Sequence, residues 1–353
     1  MNDFIISGIQ QVGIGVPDVR AGFSWYNKNF GMDIPIFEEA AEAKLMLPYT
    51  GGKPHKRHAI LAINLKGGGG FEIWQYTSRT PQPPAFSPVA GDLGLYCAKI
   101  KSDNVQATFN FLKSRNAEIT GNLLTNPAGT KHFFVKDLYG NLFEIIEDDT
   151  WFGKGTLNTG GPVGMIIGVS NLPKSKNFYA NVLGYDKVLY EGEGAYKDLA
   201  SLPGGNKVFR RAILTHSEKR KGPFSELFGQ SYIELIEATE YSPRKIFENR
   251  LWGDLGFIHL CFDIKNMKAL QQKCESLGHP FTVDGGAGFE MGEAAGHFTY
   301  IEDPDGALIE FVETRKIPIL KKLGWYLDLS KRDPAKPLPK LMLKALSFNR
   351  KKA

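Results

Sequence analysis

Five side chains in this chain are poorly suited to their neighbours. Glu72 stands in Gly70-Phe-Glu-Ile-Trp, Glu144 in Asn141-Leu-Phe-Glu-Ile, Glu234 in Ser231-Tyr-Ile-Glu-Leu-Ile, Glu310 in Leu308-Ile-Glu-Phe-Val and His259 in Phe257-Ile-His-Leu-Cys-Phe. Short apolar runs of this kind read as strands, in which successive side chains point to opposite faces of a sheet. Each carboxylate or imidazole then faces the concave side while its apolar neighbours point away. An acid in the middle of such a strand is costly to bury unless it is paired or bound to a metal. Carboxylates and an imidazole are also the groups that move protons. The competing reading of each one alone is a strand Glu at a sheet edge, or a histidine hydrogen-bonded in the core.

The elements that must position these residues come from an internal repeat. Val16-Pro-Asp-Val-Arg leads to Trp25-Tyr26 and Phe30-Gly31, and Val169-Ser-Asn-Leu-Pro leads to Phe178-Tyr179 and Leu183-Gly184. Val to Tyr is ten residues in both and Val to Gly fifteen. The pattern predicts a strand, a turn capped by Asp18 or Asn171, an amphipathic helix and a glycine stop. A second pattern, Asp-x-x-Gly-x-x-x-Glu, recurs at Asp137–Glu144 and Asp303–Glu310 and reads as a tight turn between two strands. A strand and a helix precede each, at 93–100 with 105–115 and at 257–264 with 267–277. Cys97 and Cys261 are expected at matching places in those two strands. The chain thus divides into four modules, each a strand, a helix and three strands, at 7–78, 92–148, 162–239 and 256–314. The first resembles the third, and the second the fourth.

The βαβββ unit, the Phe-Tyr-x-x-x-Leu-Gly helix end and the Asp-x-x-Gly-x-x-x-Glu hairpin resemble the vicinal-oxygen-chelate family, the fold of glyoxalase I, methylmalonyl-CoA epimerase and the extradiol dioxygenases. The resemblance covers residues 7–314. It implies an α+β fold in which four βαβββ modules pair into two curved, barrel-like sheets. The expected domains are 1–150 and 160–314, followed by a basic extension at 315–353. The resemblance further implies that metal ligands come from the first and last strand of each module. Those positions hold Gln11 and Glu72 in the first module, Leu95 and Glu144 in the second, Gly164 and Glu234 in the third, and His259 and Glu310 in the fourth.

Module pairing decides the site. If modules one and four share a barrel, the ligands are Gln11, Glu72, His259 and Glu310, the residue types and order of eukaryotic-type glyoxalase I. The other barrel then holds Leu95, Glu144, Gly164 and Glu234, a degenerate, metal-free set with an apolar gap. If modules three and four pair, as in extradiol dioxygenases, the set is Glu234, His259 and Glu310, and Gln11 with Glu72 has no role. The first pairing uses each candidate ligand once and is preferred. One imidazole among oxygen ligands suits a single divalent ion such as zinc, nickel, cobalt, manganese or magnesium. The resemblance implies a small-molecule substrate that offers two vicinal oxygens, and proton transfer beside a chelated carbonyl by an isomerase, epimerase or lyase. Glu310 is the expected base and Glu72 its counterpart. An antibiotic-binding type of protein, without catalysis, is the alternative from another class. The arginines and asparagine that hold glutathione in glyoxalase I are replaced by Gly15, Leu255 and Tyr76. Gly13, Gly15, Trp74 and Tyr76 are the expected walls of a roomy, partly apolar pocket.

At 353 residues, 42% hydrophobic and 23% charged, the chain can bury a core without staples. Three cysteines with no CxxC pair argue against a zinc knuckle or disulfide framework and fit a reducing, cytoplasmic setting. The N-terminus shows no signal-peptide pattern. The net charge of +5 is uneven: residues 315–353 carry twelve Lys and Arg against two Asp, or +10, which leaves the rest at −5. Basicity is therefore a property of the tail and no sign of nucleic-acid binding. Leu341, Leu343 and Leu346 with Lys340, Lys344 and Arg350 are expected to form a short basic helix. It docks on the acidic body, with Trp325 and Tyr326 as anchors, or else binds an anionic membrane surface. Gly67–Gly70 reads as a loop before a strand, since it lacks the lysine and helix of a phosphate loop. His132 and His297 read as satisfied or solvated histidines, Cys261 as a small core residue, and Gly285, Gly286 and Gly288 as a flexible loop with a flap over the site as the alternative.

Overall fold

A computed structural model describes residues 4–286, 289–291, 294–320 and 324–352. The first module comprises β1 (Ile5–Gly15), α1 (Val19–Phe30), β2 (Ile34–Ala43), β3 (His55–Ile63) and β4 (Gly70–Tyr76). The second comprises β5 (Gly94–Ser102), α2 (Val105–Ser114), β6 (Glu118–Thr125), β7 (Lys131–Lys136) and β8 (Leu142–Glu147). β9 (Thr159–Gly168), α3 (Leu172–Leu183), β10 (Lys187–Ala195), β11 (Val208–Thr215), the short α4 (Ser225–Phe228) and β12 (Tyr232–Ala238) make the third. The fourth runs through β13 (Gly256–Lys265), α5 (Met267–Ser276), β14 (Val283–Asp284), β15 (Phe289–Met291), β16 (Ala294–Glu302) and β17 (Leu308–Leu320). β18 (Trp325–Asp328) and α6 (Lys340–Lys344) follow.

The expected local signals act as expected. The Asp18 carboxylate accepts hydrogen bonds from the amides of Arg20 and Ala21, and Asn171 accepts one from Lys174. Gly31 and Gly184 close their helices at φ 70° and 72°, where a side chain would be strained. The two repeated motifs also meet each other. Tyr26 of α1 donates its hydroxyl to Asp137 at 2.5 Å, and Tyr179 of α3 donates to Asp303 at 2.9 Å. Each aspartate also accepts backbone amides of its own turn. Burial raises both carboxyls, that of Asp303 to about 6. The helix of one module is thereby tied to the hairpin of the next.

Strand pairing follows a different order from the chain. One sheet runs β14-β16-β17-β13-β1-β4-β3-β2, with β15 on β16 and β18 on β17. The other runs β10-β11-β12-β9-β5-β8-β7-β6. Modules one and four therefore share a sheet through the antiparallel β1–β13 pair, and modules two and three through β5–β9. Alternation sorts the side chains: Phe71 and Ile73 of β4 join the core cluster that contains the helices, whereas Trp74 joins the cluster on the opposite face with Phe37, Leu61, Trp252 and Tyr300. Gly67–Gly69 form a loop, as expected, because another backbone crosses them. A Cβ at Gly161 would sit 1.4 Å from the Gly68 carbonyl oxygen, and one at Gly67 would sit 2.8 Å from Gly160 Cα.

The tail packs on the body. Leu329, Leu338, Leu343 and Leu346 are buried in one cluster with Phe224, Leu227 and Phe228, while Arg350 pairs with Asp33 at 3.1 Å. These leucines are the anchors. Tyr326 is half-buried under Lys316, and the side chain of Trp325 lies outside the described residues. Among the described residues no helix is long and apolar enough to cross a membrane.

Candidate metal centre

Gln11 of β1, Glu72 of β4, His259 of β13 and Glu310 of β17 converge on one point of the first sheet. His259 Nε2 lies 3.1 Å from Glu310 Oε2 and 3.4 Å from Glu72 Oε2. The Gln11 amide nitrogen donates to the same two oxygens at 3.2 and 3.4 Å. All four residues are buried. The register explains the convergence: Glu72 is opposite Gly13 and Glu310 opposite Cys261, so the candidate residue on each first strand, Gln11 or His259, stands two residues before that partner.

Gly13 has a specific duty that the sequence did not suggest. A Cβ there would lie 2.4 Å from His259 Cε1 and 2.6 Å from its Nε2, so the absent side chain is the space the imidazole fills. Of the four expected walls only Trp74 lines the cavity. A Cβ at Gly15 would lie 1.9 Å from the Asp254 carbonyl oxygen, and Tyr76 donates its hydroxyl to the Trp252 carbonyl. Two residues missed in the sequence complete the surroundings. The Tyr300 hydroxyl meets His259 Nδ1 at 3.3 Å and fixes the ring, and Trp252 stacks over it at 6.2 Å between centroids.

Burial alone would push His259 down. Glu310 and then Glu72 outweigh burial and hold the imidazole up at about 10. Burial would raise Glu310, but His259 draws it below the usual carboxylate range. The donor set fits a divalent ion. Single atoms of Glu72, His259 and Glu310 lie within 4.8 Å of one another. Gln11 Oε1 is buried with no hydrogen-bond partner, and half a turn of the amide brings it to the place its nitrogen holds. A cavity of about 270 Å³ opens over the cluster, and Phe37, Trp74, Trp252, Phe298 and, from the tail, Leu346 reach it.

The second sheet corrects the sequence reading. Glu144 stands opposite Lys99, as Glu310 stands opposite Cys261. Lys99 is thus the counterpart of Cys261, and Cys97, not Leu95, is the counterpart of His259. The repeated Gly91-Asp-Leu-Gly94 and Gly253-Asp-Leu-Gly256, unused in the sequence reading, carry the same alignment. There is no apolar gap. Lys99 Nζ donates to Glu144 and, at 2.6 Å, to Glu234; Arg211 reaches Glu234 and Asp198, each at 2.7 Å. His132, buried rather than solvated, places Nδ1 2.7 Å from Glu144. Gly164 could hold no ligand, since a Cβ there would lie 2.3 Å from the Tyr232 carbonyl oxygen. Glu234 belongs to this network, so the set of Glu234, His259 and Glu310 is not assembled.

The remaining expectations resolve simply. His297 pairs with Asp284 at 2.5 Å beside the cavity, and Cys261 is fully buried, its thiol raised by burial and then by Glu310. A Cβ at Gly285 would strike the Phe298 ring at 2.3 Å, and Gly288 lies outside the described residues.

The fold has solved counterparts. The chain is similar in structure to a mutant form of glyoxalase I from Zea mays, at 17% identity and a TM-score of 0.54, covering 87% of this chain and 92% of that one. A putative dioxygenase from Bacillus subtilis subsp. subtilis str. 168 is similar at 14% identity and a TM-score of 0.55, covering 88% of this chain and 86% of that one. No curated protein matches the chain in sequence. At these identities the likeness concerns the fold. The family model described as Glyoxalase/Bleomycin resistance protein/Dioxygenase superfamily matches residues 8–145 and again 162–311, and the chain belongs to that superfamily.

Proposed function

We propose that this chain is a metal-dependent enzyme that transfers a proton beside a chelated carbonyl of a small molecule, as an isomerase, epimerase or lyase. The observation that carries this reading is the convergence of Gln11, Glu72, His259 and Glu310 on one buried point under an open cavity. A divalent ion held there would act as a Lewis acid toward two adjacent substrate oxygens. Glu310, buried beside His259 at 3.1 Å and lining the cavity, is the proton acceptor. Glu72, across the cluster, is its counterpart on the other side of the substrate. Tyr300 holds the ring of His259, and aromatic side chains wall the cavity in which the reacting carbon would sit.

Metal analysis of the purified protein tests the reading. About one divalent ion per chain is expected, reduced at least tenfold in His259→Ala, which removes the single imidazole. Glu234→Ala should keep its ion. A proton-exchange NMR screen of small α-hydroxy and α-keto compounds should show solvent exchange that Glu310→Gln abolishes. Equal metal content in wild type and His259→Ala would refute the proposed centre.

A further inference from the structure

The cavity over the cluster is walled by rings from separate parts of the chain: Phe37 of β2, Trp74 of β4, Phe228 of α4, Phe298 of β16, and Trp252, which precedes β13. At about 270 Å³ it lies just below the roughly 300–1,000 Å³ of ordinary small-molecule pockets. That leaves room within its walls for one ring and a short polar end. Its cations are already engaged. Arg57 pairs with Glu39 at 2.6 Å and lies over the Trp74 ring, Lys44 meets Glu42 at 4.0 Å, and His297 meets Asp284 at 2.5 Å. Among the described residues, then, the cavity offers no buried cation without a carboxylate partner to receive a second anionic group such as a phosphate or a distal carboxylate. The ring of Trp252 lies nearly parallel to His259, at 13°, on the wall nearest the cluster.

We infer that the substrate is a small aryl compound whose two vicinal oxygens sit directly beside its ring, with no second charged group. Aromatic walls favour a ring through apolar contact and edge-to-face packing, and the paired cations give no reward to a second anion. This inference rests on the proposed metal centre for the placement of the two oxygens. It adds the identity of what surrounds them.

The test compares glycolate, mandelate and phosphoglycolate as probes, by titration calorimetry and tryptophan fluorescence on protein loaded with manganese or zinc. Mandelate carries the same two oxygens as glycolate plus a phenyl ring, and is expected to bind at least tenfold more tightly. Phosphoglycolate should gain nothing over glycolate. Trp252→Ala should lower the mandelate-to-glycolate ratio at least threefold, and Trp252→Phe should retain most of it, with circular dichroism melts checking that both variants fold. Equal affinity for mandelate and glycolate, or a preference for phosphoglycolate, overturns the inference. A protein that takes up no ion refutes the metal centre instead. The same series on the metal-free chain then decides: an aromatic advantage that persists upholds the ring preference, and its absence ends it.

Discussion

In the first barrel Gly13 leaves a hollow that the imidazole of His259 fills; in the second, Ile166 stands opposite Glu234 where Gly13 stands opposite Glu72. Where the first has Cys261 the second has Lys99, and where the first has the small Ala59, two residues' register from Glu72, the second has Arg211. Both barrels bury two carboxylates from the last strands of their modules. Two buried carboxylates facing each other cannot both stay ionised without a cation between them. The second barrel supplies that cation from its own chain, through Lys99 and Arg211. Among the described residues the first supplies one imidazole, leaves Gln11 Oε1 unpartnered and keeps the space above it open. A duplicated fold has thus met one electrostatic problem twice, once with a covalently attached ammonium and once with a site able to receive an ion.

The largest effect expected from breaking this contrast is in the second barrel. Lys99→Met leaves Glu144 and Glu234 buried without the charge between them, and removal of one partner from such a group costs about 3–5 kcal/mol. Denaturant unfolding should show this loss with the bound metal unchanged. A Lys99→Met protein as stable as wild type would mean that the ammonium does not hold the barrel.

Paired glycine substitutions come next. Gly13→Ala forces its Cβ into the His259 ring, so metal affinity should fall roughly tenfold or more. Gly164→Ala meets the Tyr232 carbonyl, a backbone atom that cannot swing aside, and should cost about 1–3 kcal/mol while metal affinity stays as in wild type. Calorimetric metal titration and thermal melts of the two variants would separate these roles, and identical behaviour of the pair would erase the distinction between the barrels.

The smallest effect is on the acid side. Burial would raise Glu144, but Lys99 and His132 bring it from 4.5 down to about 2. A carboxyl whose folded value is depressed contributes stability that is present above its unfolded value and lost as the pH falls through the folded one. Stability should therefore decline between pH 4.5 and about 2. In Lys99→Met this acid-side decline should shrink, since the main cause of the depression is gone. Unfolding midpoints measured across that window would show it, and an unchanged acid profile in the variant would remove Lys99 as the cause.

Both repeats, the four modules and the candidate positions Gln11, Glu72, His259 and Glu310 could be read from spacing and residue type together with a family resemblance, with the pairing of the modules left open. The repeats are local: a capped helix closed by Gly31 or Gly184 and a turn closed by Gly140 or Gly306 are written in a few adjacent residues. The alignment of β5 with β13 was also legible through the two Gly-Asp-Leu-Gly runs. Matching the cysteines instead slid it by two residues and put Leu95 where Cys97 belongs. A slip of two keeps every side chain on its own face, so alternation gave no warning.

Tertiary structure alone decided the rest. The composition of each sheet depends on β1 meeting β13 and β5 meeting β9, contacts between residues about 250 and 70 positions apart that no local pattern encodes. Arg211, Asp198 and His132 lie on different strands and loops, and only the closed second sheet makes them partners of Glu144 and Glu234. The sequence by itself determined which residues carry charge into apolar strands. The fold determined which of those charges are cancelled by a neighbour from a distant module and which are left facing an open cavity, because cancellation depends on distances of a few ångströms across strands rather than on order along the chain.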